Sequence, residues 1–178
     1  IRRLTNKIQG AEVVAVSDVF EESAKQAAEI CGAKVYTDAN ELIYDPEVDA
    51  VFIVSPGFAH VDSLLAAIKA GKRIFCEKPL CTTAEDCLKV VNAEVESGKH
   101  LIQLGFMRRY DKGYMQVKEA LATGEYGEPL MLHCTHRNPE VGTNYNTPMA
   151  VHDTAIHEID VLHWLVDDEY ESAQVIMP

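Results

Sequence analysis

The sequence predicts an α/β fold in which a parallel sheet is covered by helices on both sides. Three observations carry that expectation. Short apolar runs rich in Val and Ile alternate with segments of helical periodicity, at the spacing of successive βαβ units. The run over residues 48–54 is apolar except for Asp49, the pattern of a strand buried on both faces. Gly32, Gly71 and the Ser55-Pro56-Gly57 string stand where a helix or strand has to stop.

In chain order, residues 1–8 read as the tail of a helix, and 12–18 as a β-branched strand ending in the carboxylate of Asp18. A helix over 21–30 follows, stopped by Cys31-Gly32, then a short strand at 34–36 and a small helix at 40–44. After the 48–54 strand comes a helix over 59–70. A strand at 73–76 then runs into Glu77-Lys78-Pro79. Thr82-Thr83-Ala84-Glu85 opens a helix reaching residue 97, and 100–106 is the next strand. Beyond Phe106 the rhythm changes. A helix at 111–122, a strand at 129–135, a polar loop at 138–148, a long helix at 151–165 and a strand at 172–177 read as the start of a second, α+β domain. The expected boundary lies between 1–106 and 107–178.

Charge narrows the partners. Against 16 Lys and Arg stand 28 Asp and Glu, a formal charge of -12, and so acidic a surface repels phosphate backbones and anionic lipid headgroups. Nucleic-acid and membrane partners are therefore not expected. Five cysteines, an odd number with no Cys-x-x-Cys pair, fall mostly in apolar runs and read as reduced thiols of a cytoplasmic protein. No stretch approaches the roughly 18 apolar residues of a membrane span, and Ile1-Arg2-Arg3-Leu4 has no apolar signal core.

Chemistry-bearing residues collect at strand ends. Asp18 ends the first strand, where a carboxylate either accepts the ribose hydroxyls of a dinucleotide, favouring NAD over NADP, or caps the next helix. Ser55, Pro56 and His60 follow the most apolar strand, at the edge where open α/β sheets bind ligands; a plain turn opening a helix is the other reading. Glu77 and Lys78 follow the next strand, and two charges directly after a buried strand are poorly placed for packing. An ammonium there can donate to a substrate hydroxyl and stabilise developing charge on its oxygen. On the last helix Asp153, His157 and Asp160 stand at i, i+4 and i+7, which suits a His general base supported by carboxylates. A solvated polar stripe is one alternative. A metal site of His152, Asp153 and His157, completed by His133 or His136 in a metal-dependent hydrolase, is another. Met107, Arg108 and Arg109, with His136-Arg137-Asn138, add hydrogen-bonding groups suited to a polyhydroxylated ligand.

Together, the Asp-ended strand, Ser55-Pro56 with His60, Glu77-Lys78-Pro79, Gly105-Phe106-Met107-Arg108-Arg109 and Asp153-x-x-x-His157 resemble the glucose-fructose oxidoreductase/inositol dehydrogenase (Gfo/Idh/MocA) family. The resemblance runs from Ile1 to Pro178. The strings at 106–111, 136–139 and 157–164 look like its inositol 2-dehydrogenases. It implies a Rossmann-type sheet ordered 3-2-1-4-5-6. It also implies NAD as cofactor and oxidation of a cyclitol secondary alcohol, in particular myo-inositol at its axial 2-hydroxyl, to the ketone. A related sugar or scyllo-inositol is the alternative substrate.

Residue by residue, the resemblance implies that His157 takes the hydroxyl proton, Asp153 orients His157 and touches the sugar, and Lys78 holds the reacting oxygen. Pro79 would follow a cis peptide. Met107, Arg108, His136 and Asn138 match substrate positions, while Asp18, Ser55, Pro56, His60, Glu77 and Lys78 match cofactor positions. No metal is implied, and relatives are commonly homotetramers. The family's first strand and Gly-rich phosphate loop would precede Ile1, and most of the substrate-domain sheet would follow Pro178. The chain is thus expected to be part of a longer protein, and the strand ending at Asp18 to lack a neighbour on one side.

Overall fold

The computed structural model describes residues 1–176. The chain forms two compact units, the first spanning Ile1–Gly105 and the second beginning at Phe106.

In the first unit, helices α1 (Arg2–Lys7), α2 (Glu21–Ala28), α3 (Ala39–Tyr44), α4 (His60–Lys69) and α5 (Ala84–Glu96) alternate with strands β1 (Ala15–Ser17), β2 (Lys34–Tyr36), β3 (Ala50–Ile53), β4 (Arg73–Cys76) and β5 (Ile102–Leu104). Every pairing is parallel. β1 lies beside β2, with Val16 opposite Val35, and β3-β4-β5 form a second sheet in which Ile53 faces Cys76 and Cys76 faces Leu104. The break between the sheets falls where the order 3-2-1-4-5-6 puts its first strand. Parallel pairing directs the C-terminal ends of β3, β4 and β5 to one edge, which carries Ser55, Glu77 and Gly105.

The core follows from the apolar face of each element. Val51, Ile53, Ile74 and Cys76 of the sheet meet Ile43 of α3, Leu64, Ala67 and Ile68 of α4, and Val90 of α5. Burying side chains of this size contributes about 1.5–3 kcal/mol each. β3 departs from the expected burial on both faces, because its residues alternate: Val51 and Ile53 are buried, whereas Phe52 is 49% exposed. The helices of the core cluster cover one face only. On the other, Phe52 stacks on Phe75 with ring centroids 5.2 Å apart.

Caps set the helix starts. Thr83 accepts from the Asp86 N–H at 3.1 Å and its hydroxyl donates to the Asp86 carboxylate at 3.0 Å. The Glu94 carboxylate accepts from the Leu101 and Ile102 N–H groups, both at 2.7 Å, and so fastens α5 to the start of β5.

The second unit holds a 3-10 turn (Met107–Tyr110), α6 (Lys112–Ala122), the short α7 (Thr147–Met149), a π-helical turn (Ala150–Ala155) and α8 (Ile156–Val166). Asp111 caps α6 by accepting from Gly113 and Tyr114 N–H at 2.9 and 3.2 Å. Two expected strands are not formed. Residues 129–135 are irregular, with Leu130 96% exposed, and 172–176 carry no strand either; Met177 lies outside the described residues. A strand needs a hydrogen-bonded neighbour, and the described residues of this unit contain no strand to provide one. The long helix expected from 151 is likewise divided, its first turn being π rather than α.

Asp45 ties β2 to the loop before β3. Its carboxylate accepts from the Tyr36 hydroxyl at 2.7 Å, the Glu47 N–H at 2.8 Å and Lys34 Nζ at 3.0 Å, which hold it down at about 2. Because that value lies below the ordinary 3.8, the contribution is complete above about pH 4 and is lost as pH falls through about 2. Asp45→Asn should flatten the loss of stability between pH 4 and pH 2 seen in acid titrations followed by circular dichroism; an unchanged acid profile would contradict this role.

Candidate active site

Lys78 stands just past the C-terminal end of β4, and the Lys78–Pro79 peptide is cis. The strand end is anchored from both sides: the Glu77 N–H donates to the Ile53 carbonyl at 2.9 Å and the Gly105 N–H to the Cys76 carbonyl at 2.8 Å. The Lys78 N–H donates to the Glu77 carboxylate at 3.3 Å. Lys78 is half-buried.

His60, an expected cofactor position, lies inside the fold. It is completely buried, and its two ring nitrogens are spent on backbone oxygens. Nε2 lies 2.7 Å from the Ser55 carbonyl, while Nδ1 lies 2.9 Å from that of Pro79 and 3.2 Å from that of Leu80. The ring therefore joins the turn after β3 to the turn that carries Lys78, and acts beneath the edge rather than upon it. Cys76 Sγ closes the cluster 3.4 Å from Nδ1. Burial pushes its thiol up to about 12, so it remains an S–H that donates to the Glu77 carbonyl at 3.2 Å. Gly57 permits this close approach, since a Cβ there would come within 3.1 Å of Pro79 Cγ.

Asp18 lies at the C-terminal end of β1. Its Oδ1 accepts from the Phe20 N–H at 2.9 Å, a local turn ahead of α2, whose N-cap Phe20 has no side-chain cap bond. Ser55 and Pro56 are exposed at the edge, and the Pro56 carbonyl accepts from the Ala59 N–H at 2.8 Å to turn the chain into α4.

In the second unit, consecutive arginines of the 3-10 turn reach consecutive acidic positions of α8. Arg108 Nη1 donates to the Glu158 carboxylate, and Arg109 donates to both oxygens of Asp160 from Nε at 3.1 and 3.0 Å and from Nη2 at 2.6 Å. Arg109 thereby holds both oxygens of the Asp160 carboxylate. The network continues from Glu158 to His136, whose Nδ1 lies 3.2 Å from Oε1, and from His136 Nε2 to Asn138 Oδ1 at 3.2 Å. Burial pushes the Glu158 carboxyl up, but hydrogen bonds from Arg108 and His136 outweigh it and hold the group below its ordinary range.

Of the expected substrate residues, Arg108, His136 and Asn138 are thus brought together, while Met107 is exposed at the start of the turn. His136, Asn138, Tyr145, Thr154 and Glu158 line a cleft of about 440 Å3 in this unit, with the Tyr145 and Thr154 hydroxyls 2.8 Å apart. His157 is buried on the first turn of α8, and Asp153 lies in the π-helical turn before it. Single π turns are frequent at functional sites. The metal-hydrolase alternative is not favoured: among the described residues no three His, Cys, Asp or Glu side chains converge on a common point, and His133 takes no part in the network. Nor is any described helix long and apolar enough to cross a membrane.

Glu158 was not singled out from the sequence. The available signal was a carboxylate on a largely apolar helix with no basic residue at i±3 or i±4, where Thr154, Ala155, Val161 and Leu162 stand. Such a charge has to find its partner elsewhere in the fold.

Comparison with known proteins agrees with this architecture. A family described as "Oxidoreductase family, NAD-binding Rossmann fold" matches residues 1–106, and the "GFO/IDH/MocA C-terminal domain" matches residues 114–178. The chain is 55% identical over its whole length to an inositol 2-dehydrogenase/D-chiro-inositol 3-dehydrogenase of Halalkalibacterium halodurans, covering 52% of that protein. It is 53% identical to an inositol 2-dehydrogenase of Pseudomonas syringae, covering 54% of it. The crystal structure of a Lactobacillus casei myo-inositol dehydrogenase in complex with NAD(H) and myo-inositol superposes with a TM-score of 0.91 at 51% identity, over 96% of this chain and 51% of that one. The chain spans about half the length of the curated relatives it matches.

His60→Ala should lower stability by about 2–4 kcal/mol, through the cavity left and the carbonyl partners lost. Chemical denaturation of the full-length protein measures this, and an unshifted midpoint would remove the ring from its joining role.

Proposed function

The chain belongs to the Gfo/Idh/MocA oxidoreductase family, and from that premise we propose that the protein containing it is an NAD-dependent dehydrogenase that oxidises myo-inositol at C2 to the ketone. The observation that carries the substrate class is the row Arg108–Glu158–His136–Asn138, whose last three members line the cleft. A polyol offers only hydroxyls, and a row of fixed donors and acceptors is what reads them. The identities of the relatives support inositol over another sugar.

The residues of the first unit fit a nicotinamide dinucleotide. Asp18 brings a carboxylate to a parallel strand end, the place where such folds accept ribose hydroxyls, and a negative charge there disfavours a 2′-phosphate. The turn at Ser55 and Pro56, with Glu77 and Lys78, forms the neighbouring part of that edge. When bound, the cofactor supplies the acceptor for the hydride leaving C2.

The protein's own groups handle the proton and the oxygen. His157 accepts the proton of the C2 hydroxyl as the C2–H electron pair departs, and the C–O bond becomes a carbonyl. Asp153 orients the imidazole and steadies its positive charge, and Lys78 donates a hydrogen bond to the reacting oxygen, where charge develops. Burial of His157 keeps water from competing for that proton.

On this reading residues 1–106 are the dinucleotide-binding domain and 107–178 begin the substrate and oligomerisation domain. Five free cysteines support a cytoplasmic setting, and the family resemblance supports a homotetramer of the full-length protein.

Mixing the full-length protein with NAD and myo-inositol should produce reduced-nicotinamide absorbance. Lys78→Ala should retain NAD binding and lose turnover by about 10²-fold or more. Turnover of a different polyol alone would change the substrate. No turnover across a polyol panel would overturn the reading.

A further inference from the structure

Arg108 presents a difficulty for a site that reads an uncharged ligand. A guanidinium is always charged, and in a partly dry cleft it attracts phosphates and carboxylates more strongly than hydroxyls. In this structure the charge is already answered. Arg108 and Glu158 are each only 16% exposed at the side chain, so their attraction is weakly screened, and Nη1 is spent on the carboxylate. The guanidinium also stands over the Tyr114 ring, whose centroid lies 5.8 Å from Cζ. The same carboxylate holds His136 Nδ1 at 3.2 and 3.3 Å from its two oxygens, and Arg108 Nη2 lies 3.5 Å from that nitrogen. One anion thus fixes two cationic or potentially cationic side chains.

We propose that Glu158 is the specificity-determining residue that reserves this cleft for neutral polyols, by cancelling the charge of Arg108 and fixing Arg108 and His136 as oriented hydrogen-bond groups. The proposal rests on the polyol reading above and adds to it a reason for rejecting sugar phosphates and sugar acids. An anionic ligand would meet the Glu158 carboxylate beside the Arg108 guanidinium, and would have to displace that carboxylate first. Glu158 is a positioning residue with respect to the chemistry, since it acts through Arg108 and His136 rather than on the reacting carbon.

The test compares wild type, Glu158→Gln and Glu158→Asp in the full-length protein, with inorganic phosphate as the anionic probe. Glu158→Gln should raise KM for myo-inositol about tenfold, the cost of loosening one charge-assisted contact, and leave KM for NAD unchanged. It should also make phosphate a competitive inhibitor against myo-inositol, which it is not for wild type. Glu158→Asp, with its charge kept, should remain insensitive to phosphate. An unchanged KM for myo-inositol overturns the proposal. So does the absence of phosphate inhibition in Glu158→Gln, including the case in which kcat, NAD affinity and melting temperature fall together, the signature of a merely structural role. If wild type oxidises no polyol at all, the underlying reading falls and the proposal falls with it.

Discussion

Parallel strands deliver their chemistry from the loops at their carbonyl ends, and those loops lie beyond the hydrogen bonding of the sheet, so something else has to hold them. In the first unit that something is the buried imidazole of His60, which bridges Ser55 to Pro79 and Leu80. The position of Lys78 depends on it. The strand register sets where β4 ends, the Glu77 and Gly105 backbone bonds fix the last residue, and the ring fixes the turn that follows. Gly57 and Cys76 belong to the same device, one by leaving room for Pro79 and the other by closing the cluster with a neutral thiol.

The second unit solves a similar problem with charge. It has no described strand on which to build, so the 3-10 turn after Phe106 is held against α8 by two ion pairs in sequence, Arg108 to Glu158 and Arg109 to Asp160. Partly buried pairs of this kind give definite geometry more reliably than they give stability. That suits the polyol-reading role proposed for the cleft. Both acidic anchors, Glu158 and Asp160, follow His157 on α8, so the helix turn bearing the proposed base is held on its C-terminal side.

Much of this was legible in the sequence, because alternation of apolar runs with helical periodicity depends on local spacing alone. The five strands of the first unit, the carboxylate at the end of β1 and the charged pair after β4 all fall where the pattern puts them. What could not be read depended on partners distant in sequence. Residues 129–135 have strand composition and no neighbour to pair with, and β3 is apolar throughout yet covered on one face only. The position of His60 after a Ser-Pro turn says nothing of the carbonyls that close over its ring. Helical spacing likewise takes no account of Arg109, the partner that Asp160 finds fifty-one residues away.

The proposed function is a hydride transfer from C2 of myo-inositol to a nicotinamide. Following deuterium from myo-inositol labelled at C2, with the full-length protein and NAD, tests it most directly. The account predicts that the label appears at C4 of the reduced nicotinamide and that oxidation of the labelled substrate is slowed. Label released to water, with unlabelled reduced cofactor, would contradict it.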